Sequence, residues 1–136
     1  MIDFDELEEA FLFVSAGPPF INHAIVNKKT GKIFYRTDFA GVDDFPEDYE
    51  SDDYVAIPHR NDLDLGQRLA FDFVANRLPD RSDEVYAMFH ARGAYRRFKG
   101  LLESLGLLDE WYDFENERTR DALRQWCESE GLQIRA

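Results

Sequence analysis

A single cysteine, Cys127, is the whole thiol content of the chain, which excludes an intrachain disulfide and every multi-cysteine zinc site. Long apolar runs are missing too. Nothing approaches the roughly 18 residues that cross a bilayer, and the first segment, MIDFDELEEAF, carries acids where a secretory leader carries positive charge. A cytoplasmic protein with no membrane partner is therefore expected. Positive charge is scarce: 16 Lys and Arg stand against 28 Asp and Glu, a formal net charge of −12. Nucleic acid is accordingly not an expected partner, because phosphate binding needs a positive surface. There is no Gly-x-Ser-x-Gly elbow, no His-Glu-x-x-His, no phosphate-binding glycine loop and no dinucleotide fingerprint. No cofactor is expected, and the case for an enzyme is weakened without being removed. What is present can build a core, since 44% of the 136 residues are hydrophobic and 15% aromatic. That suits one folded domain of residues 1–136 better than a disordered chain.

Asp3 followed by Glu6, then Phe4, Leu7, Phe11 and Val14 at helical spacing, predicts a capped helix over residues 4–15 that AGPPF stops. INHAIVNKKTGKIFYR reads as a β-hairpin turning through Asn27 to Gly31. Residues 38–53 hold eight carboxylates and no base, an acidic loop. YVAIPH adds a third strand, at an edge that tolerates Pro58. Asp62 is expected to cap a helix through Leu65, Leu69 and Phe73, which Pro79 interrupts. Ser82 restarts the chain, Gly93 divides it, and Tyr95, Phe98, Leu101, Leu102 and Leu105 form an apolar stripe on the next helix. A long helix follows from Leu108, with Glu115–Arg118, Glu117–Arg120 and Asp121–Arg124 spaced for surface pairing. Trp126, beside Leu123 and Ala122, is expected to be largely buried. Gly131 ends the helix, and LQIRA adds a short strand. The expected fold class is α+β, a small antiparallel sheet of a hairpin plus a third strand, packed with a helical C-terminal half.

Three places carry candidate chemistry. HARGAYRRFKG sets Arg92, Arg96, Arg97 and Lys99 among Tyr95 and Phe98, with no acid between Glu84 and Glu103. Basic and aromatic residues together can pair phosphates and stack bases, but the helical spacing assigns both rings to the core and leaves the cations on the wet side. The plain alternative is a solvated helix face. Second, the acidic loop offers carboxylates to a hard cation without the spacing of a helix-loop-helix calcium site. Its plain alternative is a solvated loop, although Phe45 and Tyr49 within it suggest that it folds down onto something. Attraction between loop and cationic segment predicts that the two approach each other, within one molecule or across a homodimer. Third, His59, Asp62 and Asp64 could ligate a metal; the plain alternative makes Asp62 a helix cap and places Asp64 in the helix's first turn. His23 and His90 lack any visible oriented partner for general-base work, and Cys127 on the side of Leu123 reads as core.

The runs IPHRNDLDLGQRLAFDFVANRLPD and RGAYRRFKGLLESLGLLDEWYDFENE, followed by ALRQWCESEGL, resemble a family of small acidic bacterial proteins with a similar order of hairpin, acidic loop and helices. The resemblance covers nearly the whole chain and implies a bacterial, cytoplasmic, single-domain protein. It implies no activity, cofactor or catalytic residue. Two functions from different classes remain. The preferred one is a non-enzymatic binding or regulatory module using the residues Arg92, Tyr95, Arg96, Arg97 and Lys99, its partner an acidic protein or a phosphorylated ligand. The alternative is a small metal-dependent hydrolase or nuclease-like enzyme using His59, Asp62 and Asp64.

Overall fold

The computed structural model describes residues 1–38, 41 and 43–135. Residues 39, 40 and 42 of the expected acidic loop, and residue 136 of the expected terminal strand, lie outside the described residues. The chain is α+β, with a three-stranded antiparallel sheet and helices mainly in its C-terminal half. It divides into two compact units, Met1–Leu63 with Arg120–Ala136, and Asp64–Thr119. Neither division point falls in a linker, and the second lies inside a continuous helix, so no composition shift announces them.

In the first unit, β1 (Ile2–Asp3) leads into α1 (Phe4–Ser15). The Asp3 carboxylate accepts the amides of Asp5 and Glu6 at 2.9 and 3.2 Å, meeting two of the donors that a helix start leaves unpaired. The bond from Glu6 above all, then those from Asp5 and Arg135, holds the Asp3 carboxyl below its ordinary range despite some desolvation. The buried face of α1 is the predicted one, Phe4, Leu7, Phe11 and Val14, with Ala10. The hairpin follows as β2 (Asn22–Asn27) and β3 (Ile33–Thr37). Asn27 caps its turn by accepting the amides of Lys29 and Thr30. Gly31 is obligatory there: its φ is +75°, and a Cβ would collide with the Met1 carbonyl. β4 (Tyr54–Ala56) pairs with β2, giving the order β3-β2-β4.

Alternation along β2 and β3 gives the sheet two unlike faces. Ala24 and Val26 share one face with Tyr35, whose ring meets Phe13 of α1 edge-on at 5.2 Å. His23, Ile25, Phe34 and Arg36 share the other. At that second face the acidic loop folds down onto the protein. The backbones of Asp43 and Arg36 form an isolated antiparallel bridge, the Asp44 amide donates to the Tyr35 carbonyl, and the rings of Phe45 and Tyr49 lie under the Arg36 guanidinium at 4.6 and 5.5 Å. The loop's described carboxylates are mostly exposed while its described rings, Phe45 and Tyr49, are half-buried, so solvation explains these acids and not these aromatics.

The unit is completed by the second half of α5 (Leu108–Ser129) and by β5 (Ile134–Arg135), which pairs in parallel with β1. Leu123 and Cys127 are fully buried. Burial pushes the Cys127 thiol up to about 11, which keeps it protonated and inert at neutral pH. Trp126, expected to be largely buried, is only partly so. Three positions from Leu123, it projects to the side of Leu123 away from Cys127, at the rim of the buried stripe instead of its centre.

In the second unit, α2 (Gln67–Arg77) presents Leu69, Ala70, Phe73 and Val74 to the core, a single helical turn at Pro79–Arg81 redirects the chain, and α3 (Ser82–Met88) follows. α4 (Ala94–Ser104) starts at Gly93, whose φ of 73° marks the break between helices. The core of this unit is aromatic. Trp111 of α5 is completely buried and meets Phe98 at 5.0 Å and Phe73 at 5.4 Å, both edge-on, the arrangement that ring quadrupoles favour. Among the described residues, no helix is long and apolar enough to cross a membrane.

Candidate functional site

The residues of HARGAYRRFKG divide between core and water as helical geometry requires. Phe98 and Leu102, four apart, are buried in α4. Arg92, Arg96 and Arg97 are exposed and Lys99 is half-buried. The stripe is narrower than the spacing predicted: Tyr95 is 39% exposed with its ring edge against Phe89, and Leu105 is 38% exposed. The reason is position. Phe98, in the middle of the helix, meets Trp111 edge-on, whereas Tyr95 lies in the first turn and Leu105 is the cap that follows the last. Tyr95 therefore belongs to the rim of the cationic face, where it was expected in the core.

Within their own unit, none of Arg92, Arg96, Arg97 and Lys99 makes an ion pair with a described residue. Arg77, Arg81 and Arg118 of the same unit pair with Glu110, Glu84 and Asp72 at 2.6, 3.2 and 3.8 Å. Lys99 has an aromatic neighbour, its Nζ lying 5.6 Å from the centre of the Tyr112 ring. The outer face of α4 also holds Gly100, one turn from both Arg96 and Arg97. A Cβ built there meets nothing within 4 Å, so packing does not demand the glycine.

The His59 segment is organised differently from the expectation. Asp62 does not cap α2, which starts at Gln67 behind Gly66 with no side-chain cap. Its carboxylate instead accepts the His59 amide at 3.0 Å, around a helical turn at Arg60–Leu63. Asp64 is not in the first turn of α2 either; it adopts a left-handed φ of 56° ahead of it. The His59 imidazole is buried and both of its nitrogens are engaged. Nε2 lies 2.8 Å from the Gly17 carbonyl, and Nδ1 accepts the Asn61 amide at 3.1 Å. That pattern assigns the neutral tautomer with hydrogen on Nε2. With Ser15 Oγ accepting the Arg60 amide, the segment ties the chain after β4 to the end of α1. Among the described residues, no three His, Cys, Asp or Glu side chains converge to hold a metal.

His90 donates from Nδ1 to the Tyr86 carbonyl at 2.9 Å and lies against the Tyr86 ring. His23 stands opposite Arg36 across the hairpin. Sequence reasoning missed Arg36: its environment comes from two loop aromatics nine and thirteen residues away, which no local spacing reveals. The chain matches no protein-family model, no curated protein and no solved structure.

Proposed function

We propose that this protein is a non-enzymatic bacterial binding or regulatory module whose cationic α4 face takes an acidic protein surface. The observation that carries the reading is the exposure of Arg92, Arg96 and Arg97 without a carboxylate of their unit, in a chain of net charge −12. Charges left free where acids are abundant are available to a partner, and complementary charge speeds and orients encounter. Gly100 supports the same reading. A mid-helix glycine costs roughly 0.5–1 kcal/mol relative to alanine, and here it leaves bare backbone one turn beyond two arginines, where a partner chain can approach closely. The metal-dependent alternative receives no such support, because His59 and Asp62 are already engaged by backbone groups.

Heparin and a poly-glutamate peptide test the reading. Both are expected to bind the wild-type chain at low salt, with affinity falling steeply as salt rises, and Arg96→Ala with Arg97→Ala is expected to remove most of that binding. Equal binding by wild type and double variant, or none at low salt, overturns it. Heparin binding without poly-glutamate binding would redirect the reading to a phosphorylated or sulfated ligand.

A further inference from the structure

The face of the three-stranded sheet that carries His23 and Arg36 borders a cavity of about 340 Å³ within the first unit. The volume is at the lower end of the roughly 300–1,000 Å³ typical of ligand pockets, so its occupant is small. Its buried lining is mostly apolar, contributed by Val14, Ala24, Ile25 and Ile57, with the buried His59 beside them. Phe20 also lines it. That ring is 84% exposed, and its backbone φ is +74°, a left-handed conformation that a bulky residue rarely takes and that concentrates at functional sites. A large apolar ring left in water beside an apolar cavity gains most by covering something placed there.

Arg36 supplies the polar end. The guanidinium lies over the faces of Phe45 and Tyr49, and stacking of that kind occupies its faces while leaving its N–H donors free in the plane. Among the described residues no carboxylate pairs with those donors. Asp43, its neighbour across the isolated bridge, accepts the Phe45 amide at 3.2 Å. On the other side stands His23, directly opposite in register and also lining the cavity. A planar two-oxygen acceptor fits the free donors of an arginine best. Asp62 lines the cavity as well, its carboxylate on the His59 amide, and a second anionic group on the ligand would meet its repulsion.

We propose that this cavity binds a small monocarboxylate with a compact apolar body. The carboxylate sits on the in-plane donors of Arg36, and the body lies against Val14, Ile25 and Ile57 under Phe20. The site is independent of the α4 face and does not rest on it.

The full chain, titrated with benzoate and hexanoate and followed by NMR, gives the test. Both acids are expected to shift the Arg36, Ile25 and Ile57 signals saturably, and benzamide and hexanamide to bind about tenfold or more weakly, as loss of a charged hydrogen-bond partner entails. Succinate is expected to bind more weakly than hexanoate. Arg36→Gln should erase the difference between acid and amide, and Phe20→Ala, a change at an exposed ring, should weaken both acids severalfold. Equal binding of acid and amide to the wild type, or no saturable shift with either acid, overturns the proposal. Saturation by inorganic phosphate without either acid overturns it too, since the apolar lining would then play no part. Should Arg36→Gln fail to fold, the wild-type comparison of acid with amide still decides.

Discussion

Arg118, Arg120 and Arg124 of α5 each reach a carboxylate, Asp72, Glu8 and Asp121, at 3.8, 3.2 and 3.4 Å, and each also lies over an aromatic ring, Phe114 for the first and Phe4 for the other two. Arg96 and Arg97 of α4 have neither kind of partner within their unit. The two sets carry the same charge on the same kind of secondary structure. What separates them is neighbourhood: α5 is seeded with acids and sits among acid-bearing elements, whereas the segment around α4 runs from Glu84 to Glu103 without one. Arginine in the first setting is part of the protein's own cohesion; in the second it is held at the surface by a helix whose opposite side is core.

The largest effect expected is therefore on the platform beneath α4. Trp111→Ala removes a completely buried indole from between Phe98 and Phe73, and large-to-small changes of this kind cost about 3–5 kcal/mol. Trp126→Ala, at the half-buried rim, should cost markedly less. Urea denaturation of both variants checks the ranking. Equal midpoints would mean that the aromatic cluster does not anchor α4, and the contrast between its dry and wet faces would lose its basis.

Period and punctuation carried much of the architecture in the sequence. The α1 stripe, the hairpin turn at Gly31, the third strand and the break at Gly93 all follow from local patterns, and local patterns are where backbone geometry is decided. Partners distant in the chain were not legible. Of the three ion pairs that helical spacing suggested in α5, only Asp121–Arg124 forms, because Arg118 and Arg120 find Asp72 and Glu8 on other elements. The pairing of β5 with β1 and the seat of Phe45 and Tyr49 on Arg36 are non-local in the same way. Asp62 shows a subtler failure. An aspartate ahead of an apolar helix has the composition of a cap, yet its shortest backbone donor was the amide of His59, three residues before it. At the cationic segment, by contrast, the split into buried Phe98 and exposed arginines was readable, since it depends only on helical periodicity.

Gly100 sharpens the comparison from the α4 side. Its Cβ position is open, so Gly100→Ala should raise stability by roughly 0.5–1 kcal/mol through helix propensity alone, visible as a higher thermal midpoint. The same variant should bind poly-glutamate less well, because the added methyl stands on the exposed face one turn from Arg96 and Arg97. A stabilised variant with unchanged binding would leave the arginines as the binding determinant and remove the glycine from it.

The smallest effects are those of the arginines themselves, and they address the comparison most directly. Arg120→Ala loses the contact with Glu8, where the two side chains are 39% and 27% exposed, together with the stack on Phe4. Such partly exposed pairs contribute about 0–1 kcal/mol and ring stacking about 0.5–1 kcal/mol more, so a loss of about 1 kcal/mol is expected. Arg97→Ala loses no partner in its unit and should stay within about 0.5 kcal/mol of wild type, as surface substitutions do. It also relieves repulsion from Arg96, one position away on the same exposed side. Raising salt should shrink the ion-pair part of the Arg120 effect and leave the cation–ring part. Urea midpoints for the two variants at low and high salt measure all of this. A destabilisation by Arg97→Ala equal to that of Arg120→Ala would show that the α4 cations serve cohesion after all, and the distinction between bound and available charge would fall.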